Sequence, residues 1–250
     1  MIYVCIPSFD EGPTVGLVLW KIRKVFEEFP REYQILLADD ASTDQTTVRL
    51  DPYTKVLPLS LIRHQARQGY ARTVEELLNL ALERTDRPKR DSAILMHADF
   101  AHGPQFLPDF VRRLESGADM VVGEATLQGE PSRGRRLARR WAGLLLRRAV
   151  RVKGITDIVS GFVAFRLMTL RNALKAQGRT LAGDGWAANA ELIGRAARHA
   201  RRIETVAVVE RHDLRQRESR IEPWRALRQT WSDAGRIRLG AARTEQGAAS

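Results

Sequence analysis

The sequence is poor in sulfur and has no membrane-length apolar run. Its 250 residues include one cysteine, Cys5, which excludes an internal disulfide framework and any cysteine-rich zinc site. No stretch approaches the roughly 20 apolar residues that span a bilayer. The amino end, MIYVCIPSFDEG, lacks a basic opening and soon turns polar, which is not the pattern of a secretory signal. A reducing cytoplasm is the expected compartment. No G-x-G-x-x-G or Walker pattern follows an apolar run, so dinucleotide oxidoreductase and P-loop chemistry lack their key residues. Cys5 lies inside an apolar run and reads as a small core hydrophobe.

What is present is ordinary globular composition, 44% hydrophobic and 28% charged. The unusual quantity is the net charge of +11, and it is unevenly distributed. Residues 1–130 hold 15 Lys+Arg and 20 Asp+Glu; residues 131–250 hold 26 and 10. A basic half of that kind is expected to meet an anionic partner: nucleic acid, a lipid surface or a phosphorylated substrate.

The acidic half alternates strands and helices. Ile2–Ile6, Gln34–Ala38, Val56–Ile62, Ala93–Met96 and Ala118–Val122 read as strands. Pro58 makes the third an edge or irregular strand. Val15, Val18, Leu19, Ile22, Val25, Phe26 and Phe29 recur at helical spacing, as do Tyr70, Val74, Leu77, Leu78, Ala81 and Leu82. A further helix is expected around Pro104–Leu114. This βαβα rhythm predicts an α/β fold with a mostly parallel central sheet flanked by helices. The basic half predicts an amphipathic helix over 132–152, a strand at Val163–Arg166 and a helix at Trp186–Ala200 capped by Asp184 or Gly185. A strand at Ile203–Val209, a helix over 223–240 and a frayed tail at 241–250 complete it. Trp186, Trp224 and Trp231 read as packing residues. No internal repeat or clean linker divides the chain, so one domain is expected.

In an open parallel sheet, ligands sit beyond the carboxyl ends of the strands. Three acidic features fall there: Asp10-Glu11, Asp39-Asp40 and Asp99. Carboxylates in that position can hold a hard divalent cation that in turn binds phosphate oxygens. They also accept hydrogen bonds from ribose hydroxyls or a base N–H.

The ordered series PSFDEG, LLADDASTDQT, QGYARTVEELLNLAL, HADFAHGPQFLPDF and DIVSGFVAFR resembles glycosyltransferase family 2, most closely its dolichyl-phosphate mannosyltransferase-like branch, over about residues 2–222. The resemblance implies a GT-A fold over 1–222, with a nucleotide-sugar half at 1–130 and an acceptor half at 131–222. It implies inverting transfer of a hexose from GDP-mannose or a UDP-sugar to a polyprenyl phosphate. By the same resemblance, Pro7, Phe9 and Glu11 form the nucleotide-contacting first loop, and Asp39 and Asp40 bind base and ribose. His97-Ala98-Asp99 matches the Asp-x-Asp diphosphate and metal motif, with Asp99 as the metal ligand. Asp157 and Ser160-Gly161-Phe162 match the acceptor-side element, and Asn189-Ala190-Glu191 the helix that closes the site. Arg215, Arg217, Ser219 and Arg220 match a phosphate-holding basic loop.

The sequence departs from the family at three places. His97 replaces the first Asp, Ala101 replaces a ligating Gln, and Ala125 replaces a phosphate-contacting Arg. Imidazole is softer than oxygen and suits Mn²⁺ better than Mg²⁺. The expected cofactor is therefore a divalent cation, Mn²⁺ or Mg²⁺, with His97 or His102 as possible assisting ligands.

A phosphate monoester acceptor is largely a dianion at neutral pH and is already nucleophilic. The harder tasks are neutralising the leaving diphosphate and bringing two anions together. Arg135, Arg217 and Arg220 suit the second task, because guanidinium forks bind phosphate bidentately. Asp157 is expected to orient the acceptor or these arginines. Residues 131–153 hold nine Lys+Arg and no acid. As a helix they gather Leu137, Trp141, Leu144, Leu145 and Ala149 towards one face, which suits an anionic lipid surface. The expected location is cytoplasmic, peripheral to the inner membrane face; aromatics are too sparse here for a nucleic-acid surface. Two other readings remain open: a soluble or glycan hydroxyl acceptor, with Asp157 or Asp184 as base, and a non-catalytic nucleotide- or membrane-binding descendant.

Overall fold

The computed structural model describes residues 1–128, 133–152, 154–175, 180–211 and 223–247. Seven strands form one sheet: β1 Ile2–Ser8, β2 Tyr33–Asp39, β3 Leu59–Arg63, β4 Ser92–Leu95, β5 Met120–Gln128, β6 Val163–Arg166 and β7 Ile203–Arg211. Their order is β3-β2-β1-β4-β6-β5-β7. β3, β2, β1 and β4 run parallel; β6 is antiparallel to both its neighbours, and β5 pairs parallel with β7. The chain steps outward from β1 to β3, then returns to place β4 on the other side of β1. That reversal opens a crevice at the carboxyl ends of β1 and β4, where an open α/β sheet binds its ligand.

Helices α1 Gly12–Glu28, α2 Thr46–Leu50, α3 Tyr70–Arg84, α4 Leu107–Glu115, α5 Arg133–Val150, α6 Leu167–Lys175, α7 Trp186–Ala197 and α8 Pro223–Gly247 cover the sheet. Side chains alternate across β1, so Val4 and Ile6 join one core and Tyr3 and Cys5 the other. The first core takes the α1 stripe Val15, Val18, Leu19 and Ile22, with Phe110 of α4. The second takes Val74, Leu77, Leu78 and Ala81 of α3, with residues of α5 to α8. Each fully buried side chain of this size contributes about 1.5–3 kcal/mol.

The structure corrects the sequence reading of element bounds in three places. β3 starts at Leu59, because Val56 and Leu57 donate back to the Tyr53 carbonyl and close a turn. β3 is the sheet edge, as Pro58 requires. β5 runs past Val122 to Gln128, since β7 pairs with it in unbroken register. α8 continues to Gly247, through helix-favouring Ala, Arg, Glu and Gln, where a tail was expected from 241.

On α5 the expected apolar outer face holds at Leu137, Trp141 and Leu144 but not at Ala149. Ala138, Ala142, Leu146 and Ala149 turn inward, and these mostly small residues let the helix sit close to the core and to α8. Leu137, Trp141 and Leu144 stay exposed. Trp224 and Trp231 of α8 are 65% and 72% exposed, so they are surface residues and not packing residues. Trp186 packs against the core.

Candidate active site

The loops beyond β1 and β2 are built from each other's carboxylates. Asp10 takes a left-handed backbone (φ 49°), and its Oδ1 accepts the Thr43 and Asp44 N–H groups at 2.6 and 3.3 Å. Asp44 returns the contact, accepting the Gly12 N–H at 3.1 Å. Asp39 is buried and accepts the Ser42 N–H at 3.2 Å and the Thr47 hydroxyl at 2.6 Å. Asp10 and Asp39 thus hold the loops in shape, and Asp39 does not line the cleft.

The cleft itself is open, with a cavity volume of about 150 Å³, and lies at the crevice beside β1 and β4. Pro7, Ser8, Phe9 and Glu11 form one wall and His97, Ala98 and Asp99 another. Asp40, Arg67, Tyr70 and Thr73 close it. Of the predicted donor-side residues, the structure therefore gathers Pro7, Phe9, Glu11, Asp40, Ala98 and Asp99. The two walls are tied together by Thr14, whose hydroxyl donates to the Ala98 carbonyl at 2.8 Å and lies 3.2 Å from Glu11 Oε2. The Ala101 N–H donates to Asp99 Oδ1 at 3.0 Å.

Asp40 is pinned by the loop that leads into α3. Its carboxylate accepts the Gln68 and Gly69 N–H groups at 2.7 and 2.9 Å and pairs with His64 Nδ1 at 2.7 Å. Burial favours the neutral acid, but the Gln68, His64 and Gly69 hydrogen bonds together hold Asp40 below the usual carboxylate range. Burial pulls His64 down, yet its contacts with Asp40 and Glu76 outweigh that and raise it. The lowered Asp40 stabilises the fold above the ordinary aspartate value and loses this as pH falls through its folded pKa. The raised His64 stabilises the fold below the ordinary histidine value and loses this as pH rises through its own. Their joint contribution is therefore fullest between about pH 3.9 and 6.5. We expect a melting temperature that declines above that window, and His64→Gln to remove the decline. An alkaline limb unchanged in H64Q would contradict the pairing.

Sequence reasoning missed Arg67 and Tyr70. Arg67 stacks on the Phe9 ring, 4.0 Å from its centroid, and this cation–π pair forms part of the cleft wall. The Tyr70 hydroxyl donates to Asn189 Oδ1 at 2.7 Å, and Asn189 Nδ2 donates to the Val159 carbonyl at 3.0 Å. α7 is thereby fastened to the cleft. Glu191 points away, accepting the Ala182 and Gly183 N–H groups and pairing with Arg195 at 2.6 Å.

Asp157, expected on the acceptor side, is an organiser. Its carboxylate accepts the Val159 and Ser160 N–H groups, each at 3.1 Å, and pairs with Arg139 at 2.7 Å. Arg139 is the one inward-turned arginine among the described side chains of α5, and it also pairs with buried Glu210. Burial opposes the Arg139 charge, but Glu210 and Asp157 more than restore it. Asp184 is exposed and caps α3, accepting the Ala71 N–H at 2.9 Å. His102 is 2% exposed, and neither ring nitrogen has a hydrogen-bond partner among the described residues. Burial pushes its pKa down to about 4. It lies outside the residues lining the cleft, which removes it as an assisting ligand there. Arg215, Arg217, Ser219 and Arg220 lie outside the described residues, as does the Arg135 side chain.

A family model for glycosyl transferase family 2 matches residues 3–176. The chain belongs to glycosyl transferase family 2. Its curated relatives include polyprenyl-phosphate mannosyltransferases. An undecaprenyl-phosphate mannosyltransferase of Micrococcus luteus is 28% identical over 207 residues, 81% of this chain and 80% of that protein. A dolichol-phosphate mannosyltransferase of Pyrococcus furiosus is 24% identical over 168 residues, 65% of this chain. The chain spans 45% of the length of that protein. The glycosyltransferase fold is GT-A. Glucosyl-3-phosphoglycerate synthase of Mycobacterium tuberculosis, solved with Mn²⁺ and uridine diphosphate, superposes with a TM-score of 0.64 at 18% identity. That match covers 95% of this chain and 79% of the other.

Proposed function

We propose that this glycosyltransferase moves a hexose from a nucleotide sugar to a polyprenyl phosphate, with inversion, at the cytoplasmic face of a membrane. The observation that carries the proposal is the cleft, where Glu11, Asp40, Asp99 and the Phe9–Arg67 pair converge at the reversal of strand order. In this reading Asp40 accepts from the nucleoside. The Phe9–Arg67 wall offers an aromatic face and a cation to base and phosphate. GDP-mannose and UDP-sugars are the candidate donors; the relatives named above favour mannose.

A divalent cation belongs to the same reading. Among the described residues no group of three His, Cys, Asp or Glu side chains is placed to hold a metal. The cleft does carry the Asp99 carboxylate and the His97 imidazole. That donor set suits a cation whose shell is completed by diphosphate oxygens and water. When bound, the cation would neutralise the departing nucleoside diphosphate.

The state of Asp157 favours a phosphate acceptor over a hydroxyl. A hydroxyl acceptor needs a proton acceptor, and the Asp157 carboxylate is engaged in structural contacts with Arg139 and the Val159 and Ser160 N–H groups. A phosphate dianion needs no proton acceptor. The basic segment 212–222 would supply phosphate contacts through Arg217, Ser219 and Arg220.

The acceptor is amphiphilic, and α5 fits its surroundings. Arg136, Arg140, Arg147 and Arg148 are exposed around Leu137, Trp141 and Leu144. Each such arginine is worth about 1 kcal/mol near anionic lipid. Exposed Trp224 and Trp231 lie on the neighbouring α8. Among the described residues no helix is long and apolar enough to cross a membrane, so this contact would be peripheral.

The test is where the sugar goes. Labelled nucleotide sugars are incubated with the protein, Mn²⁺ or Mg²⁺, and undecaprenyl phosphate in anionic vesicles. Label extracted into organic solvent is the expected result. Label found only on water-soluble acceptors would replace the proposal with hydroxyl transfer.

A further inference from the structure

We infer that His97 is a direct ligand of the donor-site cation through Nδ1, and that it biases this site towards Mn²⁺ over Mg²⁺. The inference rests on the donor-cleft reading above and concerns one of the three residues at which the sequence departs from its family.

The imidazole is held in one orientation. Its Nε2 lies 3.2 Å from the Ser160 carbonyl oxygen, which only accepts, so Nε2 carries the proton. In the neutral ring Nδ1 is then the lone-pair nitrogen. No hydrogen bond to Nδ1 is present among the described residues, and His97 lines the cleft beside Ala98 and Asp99. Metal-binding histidines are oriented in this way, with the second ring nitrogen donating to a backbone carbonyl.

The surroundings fix the ring further. Tyr70 stacks on it, centroids 5.6 Å apart and planes 15° from parallel. Gly161 has φ 71°, and a Cβ there would come within 2.6 Å of Nε2, so the residue after Ser160 leaves room for the imidazole. The Ser160 carbonyl is itself immobilised, because the Ser160 hydroxyl donates to Gly123 O at 3.0 Å and its N–H to Asp157. Asp157 therefore acts on the cation through Ser160 and His97, as a positioning residue.

Asp99 stands two residues on and supplies a hard oxygen. One carboxylate with one imidazole is a mixed donor set, and imidazole suits transition metals better than Mg²⁺. An aspartate at position 97 would give an all-oxygen set, which Mg²⁺ accepts well.

The test is electron spin-echo spectroscopy of Mn²⁺ bound to the full chain with UDP or GDP. Nitrogen coupling to the bound Mn²⁺ is expected, changing to the ¹⁵N pattern when the protein's histidines are ¹⁵N-labelled. His97→Asp should lose the coupling and lower the Mn²⁺/Mg²⁺ affinity ratio at least about fivefold, which is roughly 1 kcal/mol. The labelled wild-type protein decides the matter even if H97D folds poorly. Bound Mn²⁺ without histidine coupling, or an unchanged affinity ratio in H97D, overturns the inference and leaves the donor cleft standing. Nucleotide binding without any cation has the same effect. A protein that binds neither overturns both.

Discussion

Asp99→Asn is expected to lower transfer about a thousandfold while leaving the fold intact. The carboxylate lines the cleft beside His97, and in the proposed function it is an oxygen ligand of a cation on the donor diphosphate. A cation polarising phosphoryl oxygens contributes several kcal/mol to the transition state, and about 4 kcal/mol corresponds to three powers of ten. Asparagine keeps the carbonyl oxygen that accepts the Ala101 N–H, so the loop should survive. The signature is a collapse in kcat with an unchanged melting temperature. Turnover within about threefold of wild type, a difference of only about 0.7 kcal/mol, would remove Asp99 from the chemistry.

Arg139→Met is expected to destabilise the protein by about 3–5 kcal/mol, because breaking a buried ion network leaves uncompensated charge. Arg139 is 14% exposed, and the side chains of its partners Asp157 and Glu210 are 12% and 4% exposed. A chain of this size should lose roughly 10 °C in melting temperature. Methionine preserves much of the packed stem, so the loss reads the charge and not a cavity. Adding Glu210→Gln to R139M should recover part of the loss, since one stranded carboxylate is neutralised. If R139M melts within about 2 °C of wild type, less than about 1 kcal/mol, the triad is not an integral part of the core.

The sheet was readable in the sequence because β1, β2 and β4 are short apolar runs ended by proline, acid or histidine. The α1 and α3 stripes were readable because one face of each is buried along its length. β5 beyond Val122 was not, because Gly123 to Gln128 gain strand structure only from β7, far along the chain. The outer face of α5 was legible at Leu137, Trp141 and Leu144, but its core face was not. Its small residues, not its large ones, meet the core, and composition alone does not say so.

At the site, motif order brought Pro7, Phe9, Glu11, Asp40, Ala98 and Asp99 to one cleft. It did not separate Asp40, which lines the cleft, from Asp39, which faces the Ser42 and Thr47 side chains; adjacent residues point opposite ways along a strand. Nor did it find Arg67 on Phe9 or Arg139 between Asp157 and Glu210. These are pairings between distant segments, and no local spacing encodes them.

The most direct test of the account is the chemical form of the product made by the wild-type protein. Organic-extracted product from undecaprenyl phosphate and the preferred nucleotide sugar should be a glycosyl phosphodiester whose anomeric configuration, read by NMR, is opposite to that of the donor. Retained configuration, or sugar attached only to hydroxyl groups, would contradict it.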